Sequence, residues 1–233
     1  IYAWMAEGLL HGQRLYVELW DHKGPLAPLL YALAFSLFGI NEIAVRIFDI
    51  GLLLAALTAL VYRRGIAGWS SAFFFLLLVS PDWWRSAQPD LWAAEFFVIA
   101  IALARLKTAR ADFVAGVLLG LCVWTKPVYA LLALPFGGWL LGTALKGGWP
   151  EDRRFLAGLV GVIIPALFMI IWLAETGTLA ALLEAMVNFN LSAHAAAGID
   201  YGYWPPANLL IFPLPSWRDP LVWPAVTIAL LAA

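Results

Sequence analysis

The sequence predicts an all-α fold, a polytopic transmembrane helical bundle with interfacial helices in its first outer loop, and three observations carry that prediction. Of 233 residues, 64% are hydrophobic and only 12% charged, against about 25% charged in an average soluble domain. Mean hydropathy is +0.86, more apolar surface than a soluble fold of this size can hide from water. The apolar material is divided into successive stretches by short basic, acidic or proline-marked breaks. The basic breaks alternate with the others, so that one side of the chain collects most of the positive charge.

Taken in order, residues 1 to 25 are too polar to span. Residues 26 to 39 are apolar but only 14 long, which suits an interfacial or re-entrant helix. Together residues 1 to 40 form an outer loop with interfacial helices, and residues 41 to 173 hold about six transmembrane helices. The first span covers residues 42 to 62 and ends at Arg63 and Arg64. The second covers 69 to 79, extending toward Trp84, and the third covers 89 to 104 and ends in Arg105, Lys107 and Arg110. Spans over 113 to 125 and 127 to 144 are separated by Lys126 and Pro127, and a sixth covers 155 to 173. Residues 174 to 218 form an outer segment with an amphipathic helix near 178 to 190, and 219 to 233 begin a further helix. The whole is expected to be a single transmembrane domain. Opening on Ile1 and stopping within an apolar run, it reads as a piece of a longer protein.

Alternating the spans places Arg63, Arg64, Arg105, Lys107, Arg110, Lys146, Arg153 and Arg154 on one side, which becomes the cytoplasmic one. The opposite face carries most of the acidic, histidine and proline residues and is rich in Trp and Tyr, as an interfacial belt should be. A site would therefore open outward. A net charge of -1 offers no basic stripe for nucleic acid. The single cysteine, Cys122, reads as packing.

Three clusters on the outer face have chemical potential. Glu18, Asp21, His22 and Lys23, just before Gly24 and Pro25, put carboxylate, imidazole and ammonium at a membrane surface. Two readings fit: a phosphate held by Lys23 beside an acid that orients a hydroxyl, or a solvated loop anchored by snorkelling. The turn from Ser80 to Asp90 adds Asp82, Arg85 and Asp90, with Glu95 one turn further. Asp90 reads as functional or as a helix cap, Glu95 as an acceptor contact or a bundle-facing ion pair, and Arg85 as a partner of Asp82 or of an anionic headgroup. Lys126, at the break made by Pro127, either holds a lipid-linked phosphate or snorkels at a hairpin. Arg46 and Asp49 share a helical face and read as an internal ion pair. In the outer segment, Asn188, Asn190, His194, Asp200, Tyr201, Tyr203 and Trp204 suit a sugar or peptide acceptor, or plain interface anchoring. His11, His22 and His194 do not converge as metal ligands, and no phosphate-binding loop or dinucleotide fingerprint is present.

These residues carry a resemblance. Tyr2, the run Leu9-Leu10-His11-Gly12-Gln13-Arg14-Leu15-Tyr16, then Asp21-His22-Lys23-Gly24-Pro25-Leu26, Tyr31, Leu37-Phe38-Gly39, Asn41-Glu42 and Arg46 resemble the N-terminal region of the polytopic GT-C glycosyltransferases. The bacterial branch of protein mannosyltransferases and aminoarabinose transferases is the most similar. Gln88-Pro89-Asp90 looks like that family's second acidic motif, and Trp124-Thr125-Lys126-Pro127 with Leu134-Pro135 like its Thr-Lys turn, so the likeness covers roughly residues 1 to 173.

The resemblance implies transfer of a sugar from a polyprenyl-phosphate donor to a lipid, glycan or protein acceptor outside the cytoplasm, by inverting single displacement in a bacterial inner membrane. It implies that Lys23 contacts the donor phosphate with Lys126 as a further support, and that Asp21, His22 and Asp90 shape or catalyse the reaction; Arg85, from its place on the same face, is a further candidate for the phosphate. Glu18, Glu95, Tyr2 and Tyr203 are further candidates for sugar or acceptor contact. A divalent metal is compatible with the chemistry, and no ligand set indicates one. The family's main catalytic Asp stands a few residues before the position of Tyr2, hence before Ile1. Gly24 departs from the family's Lys-Pro-Pro, and Glu18 stands where Asp is frequent.

Other classes compete. A secondary transporter calls for inverted repeats and midplane polar breaks, which are not evident here. An O-antigen ligase or polymerase calls for an arginine-rich outer loop, whereas residues 174 to 218 hold only Arg218. A scaffold that binds a lipid-linked sugar without turnover shares the residues but not the upstream acid.

Overall fold

The computed structural model describes residues 1 to 62, 65 to 79, 87 to 147, 149 to 189 and residue 192. Arg63, Arg64, Asp82, Arg85, Asn190, His194, Asp200, Tyr201, Tyr203 and Trp204 lie outside the described residues, as does the expected last span. The described chain is all-α, with one isolated bridge between Leu15 and Leu19.

Helices α1 (Tyr2–Leu10) and α2 (Leu26–Phe38) pack on each other and flank the first loop. Gly39, at φ 87°, stops α2 in a conformation that favours glycine. Asn41 then starts α3 (Glu42–Val61) by accepting the Ala44 N–H at 2.9 Å, with Glu42 in the first turn complementing the helix dipole. Helix α4 (Gly65–Val79) packs on α3. Pro89, whose missing N–H costs nothing in a first turn, opens α5 (Pro89–Ala104). Thr108 caps α6 (Ala109–Thr125) through the Ala111 N–H at 3.2 Å.

After a short 3-10 turn (Pro127–Tyr129) come α7 (Ala130–Gly147) and α8 (Trp149–Glu175). Gly177, at φ 68°, reverses the chain into α9 (Leu179–Leu183), which runs on as a π-helix (Glu184–Phe189). Two described helices are long and apolar enough to cross a bilayer, Glu42–Val61 and Asp152–Glu175. The remaining expected spans correspond to helices α4 to α7, of 15 to 18 residues. The sixth expected span starts six residues later than α8 does, because the charged run from Glu151 to Arg154 is helical.

The tightest crossing joins α6 to α8. A Cβ on Gly116 would fall on the Gly158 carbonyl, and one on Gly161 on the Phe113 carbonyl. Small residues at these positions let two backbones meet, as the Gly116 and Gly120 spacing favours. At the α6 N-terminus Arg154, itself largely covered, donates to the buried Asp112 at 2.7 Å.

A second core lies under the first loop. Tyr2, Tyr31, Trp92 and Phe48 form an aromatic chain with centroids 5.2 to 5.8 Å apart, tying α1, α2, α5 and α3 together. Asp49 lies beside it and accepts the Trp92 indole N–H at 2.7 Å and the Ala87 N–H at 3.0 Å. Asp49 Oδ1 thus takes two hydrogen bonds rather than a close ion pair with Arg46, whose charge still acts on it, while Arg46 reaches Glu42 at 3.3 Å. That choice holds the chain just before Asp90.

Candidate functional site

Three chain segments meet at one end of the bundle. The first is the loop from Tyr16 to Pro25, held by the Tyr16 phenol donating to the Lys23 carbonyl at 2.6 Å. Tyr16 itself has φ 67°, a turn conformation kept by its buried ring. The second is the start of α5 at Asp90, and the third is the turn after α6 at Lys126. Gly24 joins the first to the third: a Cβ there would fall on the carbonyls of Trp124 and Thr125. Because those residues immediately precede Lys126, the Gly24 contact brings the two lysine-bearing segments together.

Within this end, Lys23 Nζ donates to the Tyr2 phenol at 2.9 Å and stands 5.5 Å from that ring's centroid. Asp90 and Lys126 form an ion pair, and the Tyr129 phenol donates to the Asp90 carbonyl at 3.1 Å. Burial, with the nearby Asp21 and Asp90 carboxylates, holds the Tyr2 phenol well above its ordinary pKa. Tyr16 is raised by burial first and then by Asp21. Both phenols therefore stay protonated and serve as neutral hydrogen-bonding groups. The same proximity links Tyr2 to both acids, so Tyr2, Lys23, Asp21, Asp90 and Lys126 constitute one neighbourhood.

The acids differ in access. Asp90 is 58% exposed at its side chain, whereas Asp21 is buried and accepts the His22 N–H at 2.7 Å. Asp21 Oδ1 also lies 3.4 Å from His22 Nδ1, which sets the imidazole beside the carboxylate. Glu18 faces away: it is exposed and bound to Arg14, whose hydrogen bonds hold its carboxyl below the usual range. Glu95 is fully buried in α5, and neither carboxylate oxygen has a hydrogen-bond partner among the described residues.

The sequence reading overlooked Tyr16 and Tyr129 as supports, and Trp20 and Phe189, which pack edge to face at 4.7 Å beside His22. Tyr129 was within reach of a spacing argument, three residues after Lys126. Phe189 was not, being 169 residues from Trp20 in sequence. Among the described residues no group of three or more His, Cys, Asp or Glu side chains is placed to hold a metal.

Two ammonium groups, a neutral phenol and an accessible carboxylate are suited to an anionic headgroup with a hydroxyl beside it. Comparison with protein-family models, with curated proteins and with solved structures finds no match for the chain.

Proposed function

We propose that this chain is the membrane-embedded donor-binding part of a glycosyltransferase that uses a polyprenyl-phosphate sugar at the extracytoplasmic face. The observation that carries the reading is the meeting of Lys23, Lys126, Tyr2 and Asp90 at one end of an apolar bundle. Bilayer embedding is supported by the outer faces of the two long helices. Ile43, Ile50 and Leu54 on α3, and Leu167, Phe168 and Ile171 on α8, are all more than half exposed. Apolar strips of that extent are costly in water and cost nothing in lipid.

In this reading Lys23 and Lys126 receive the donor phosphate. Phosphate competes with Asp90 for Lys126 and so frees a carboxylate next to the reacting centre. The acceptor oxygen bonds to C1 of the sugar, the bond from C1 to the phosphate oxygen breaks, and the hydroxyl proton passes to a carboxylate. Asp90 is the accessible acid that these residues supply. Polyprenyl phosphate is a good leaving group at neutral pH, so positioning and charge neutralisation carry most of the rate.

The test is release of polyprenyl phosphate from a panel of polyprenyl-phosphate sugars by the gene product that contains this chain, in membranes. Lys23→Ala and Asp90→Ala are each expected to lower turnover at least 100-fold, the scale of a lost electrostatic or acid-base contribution, with insertion unchanged. Turnover untouched by both substitutions would keep the enzyme class and remove these residues from its site. Binding of lipid-linked sugar without turnover would favour a scaffold, and no binding or release with any donor would favour a transporter.

A further inference from the structure

The loop and the outer segment share a feature outside the phosphate-binding cluster. Trp20 and Phe189 pack edge to face with centroids 4.7 Å apart, and His22 lies 6.1 Å from Trp20 and 6.0 Å from Phe189. Despite that packing, Trp20 is 46% and Phe189 39% exposed. The His22 side chain is 43% exposed, with its Nδ1 3.4 Å from the buried Asp21. Phe189 ends a π-helix, whose widened turns shift the direction of its last side chains relative to an α-helix. Such segments occur frequently at functional sites. The π-helix is held by Asn188 donating to Glu184 at 2.6 Å.

A belt of interfacial aromatics anchors ring by ring to headgroups and needs no convergence of distant segments. Here three rings from two segments share one ledge, one of them an imidazole beside a buried carboxylate, in the residue next to Lys23. Aromatic faces take the C–H face of a pyranose, and an imidazole edge takes its hydroxyls.

We infer that Trp20, His22 and Phe189 form a sugar-binding ledge that receives the carbohydrate ring of the donor while Lys23 holds its phosphate. The inference rests on the donor reading above and adds to it a place for the sugar and a role for the π-helix. Residues 184 to 189 thereby become part of the site, so the outer segment contributes to donor selection.

The experiment measures equilibrium binding of polyprenyl phosphomannose, polyprenyl phosphoarabinose and bare polyprenyl phosphate to the gene product in nanodiscs. Wild type is expected to bind at least one sugar-bearing lipid more tightly than the bare phosphate. Trp20→Ala and Phe189→Ala should each weaken that sugar-bearing lipid about tenfold, the scale of one lost well-packed aromatic contact, and leave the bare phosphate unchanged. Trp20→Phe should keep most of the preference, and Lys23→Ala should weaken all three lipids. Unchanged affinity for bare phosphate doubles as the control for folding.

The ledge is overturned by equal weakening of bare and sugar-bearing lipids in Trp20→Ala, which marks a membrane anchor. It is equally overturned by no effect of either substitution, or by a wild type without sugar preference. In those cases binding of the bare phosphate, lost in Lys23→Ala, leaves the donor reading standing. A wild type that binds none of the lipids removes both.

Discussion

Gly24 shows how much one residue decides at this site. Any Cβ at this position, a proline's included, meets the Trp124 and Thr125 carbonyls. Gly24→Pro and Gly24→Ala are therefore expected to destabilise, by about 1–3 kcal/mol for overpacking against backbone, read as a lower unfolding temperature in detergent. A glycine between Lys23 and Pro25 was visible in the sequence. Its cause was not, because the carbonyls it accommodates lie 100 residues away. The polar pattern of the site fared in the same way: Lys23, Asp90 and Lys126 were legible as outer-face residues, but not the bond of Lys23 to Tyr2 or the pairing of Lys126 with Asp90. The titration of the loop follows from its residues. Glu18 has a depressed carboxyl, so its contribution is complete above the unfolded value of about 4.3 and fades as pH falls through the folded one. Tyr2 and Tyr16 have raised values, so the unfolded chain loses those protons first and stability falls from about pH 10 upward. Protection of the loop amides against hydrogen exchange, corrected for intrinsic rates, should be level between these limits. Glu18→Gln should remove the acid limb alone.

At the scale of elements, the helices that sequence placed best are those with chemical punctuation. Helix α5 begins at Pro89 and ends at Ala104 as expected, and α3 begins after its Asn41 cap. Boundaries moved where charge was taken as a break. Helix α6 starts at Ala109 rather than 113, and α8 runs back through Arg154, because Arg154 donates to one oxygen of the buried Asp112 instead of leaving that carboxylate to face water. That pair supports a prediction. Removing Arg154 takes a charged hydrogen bond of 2.7 Å from the buried Asp112, so Arg154→Ala should cost about 1.5–3 kcal/mol. Thermal unfolding of Arg154→Ala, Asp112→Ala and the double variant would check it, the double variant being less impaired than the sum of the two. Glycine patterning was equally readable in principle, since Gly116 and Gly120 are four apart, but which helix they face requires the structure.

At the scale of the molecule, the two ends of the bundle differ in composition, and the difference is testable. Lys23, Asp90 and Lys126 share the end built from the first loop and the turn after α6, while Lys107 lies between α5 and α6 and Lys146 in the last turn of α7. If α6 crosses the bilayer, its two ends, next to Thr108 and Lys126, face opposite compartments. On that condition the excess of arginine and lysine would put the Lys107 end in the cytoplasm. Cys122, the single cysteine of these 233 residues, is buried, with its Sγ 3.2 Å from the Ala93 carbonyl, so Cys122→Ala, with any further cysteines of the gene product replaced, gives a thiol-free background at little structural cost. In that background Gln13→Cys, in the exposed first loop, should react with a membrane-impermeant maleimide added to intact cells stripped of their outer barrier. Lys107→Cys should react only after the membrane is opened. The opposite pattern would place the lysine and carboxylate cluster in the cytoplasm, where a flipped lipid-linked donor does not present its headgroup, and would remove the reaction proposed here. Equal labelling of both positions from outside would mean that α6 does not cross, leaving the same side chains to act at a bilayer surface rather than across it.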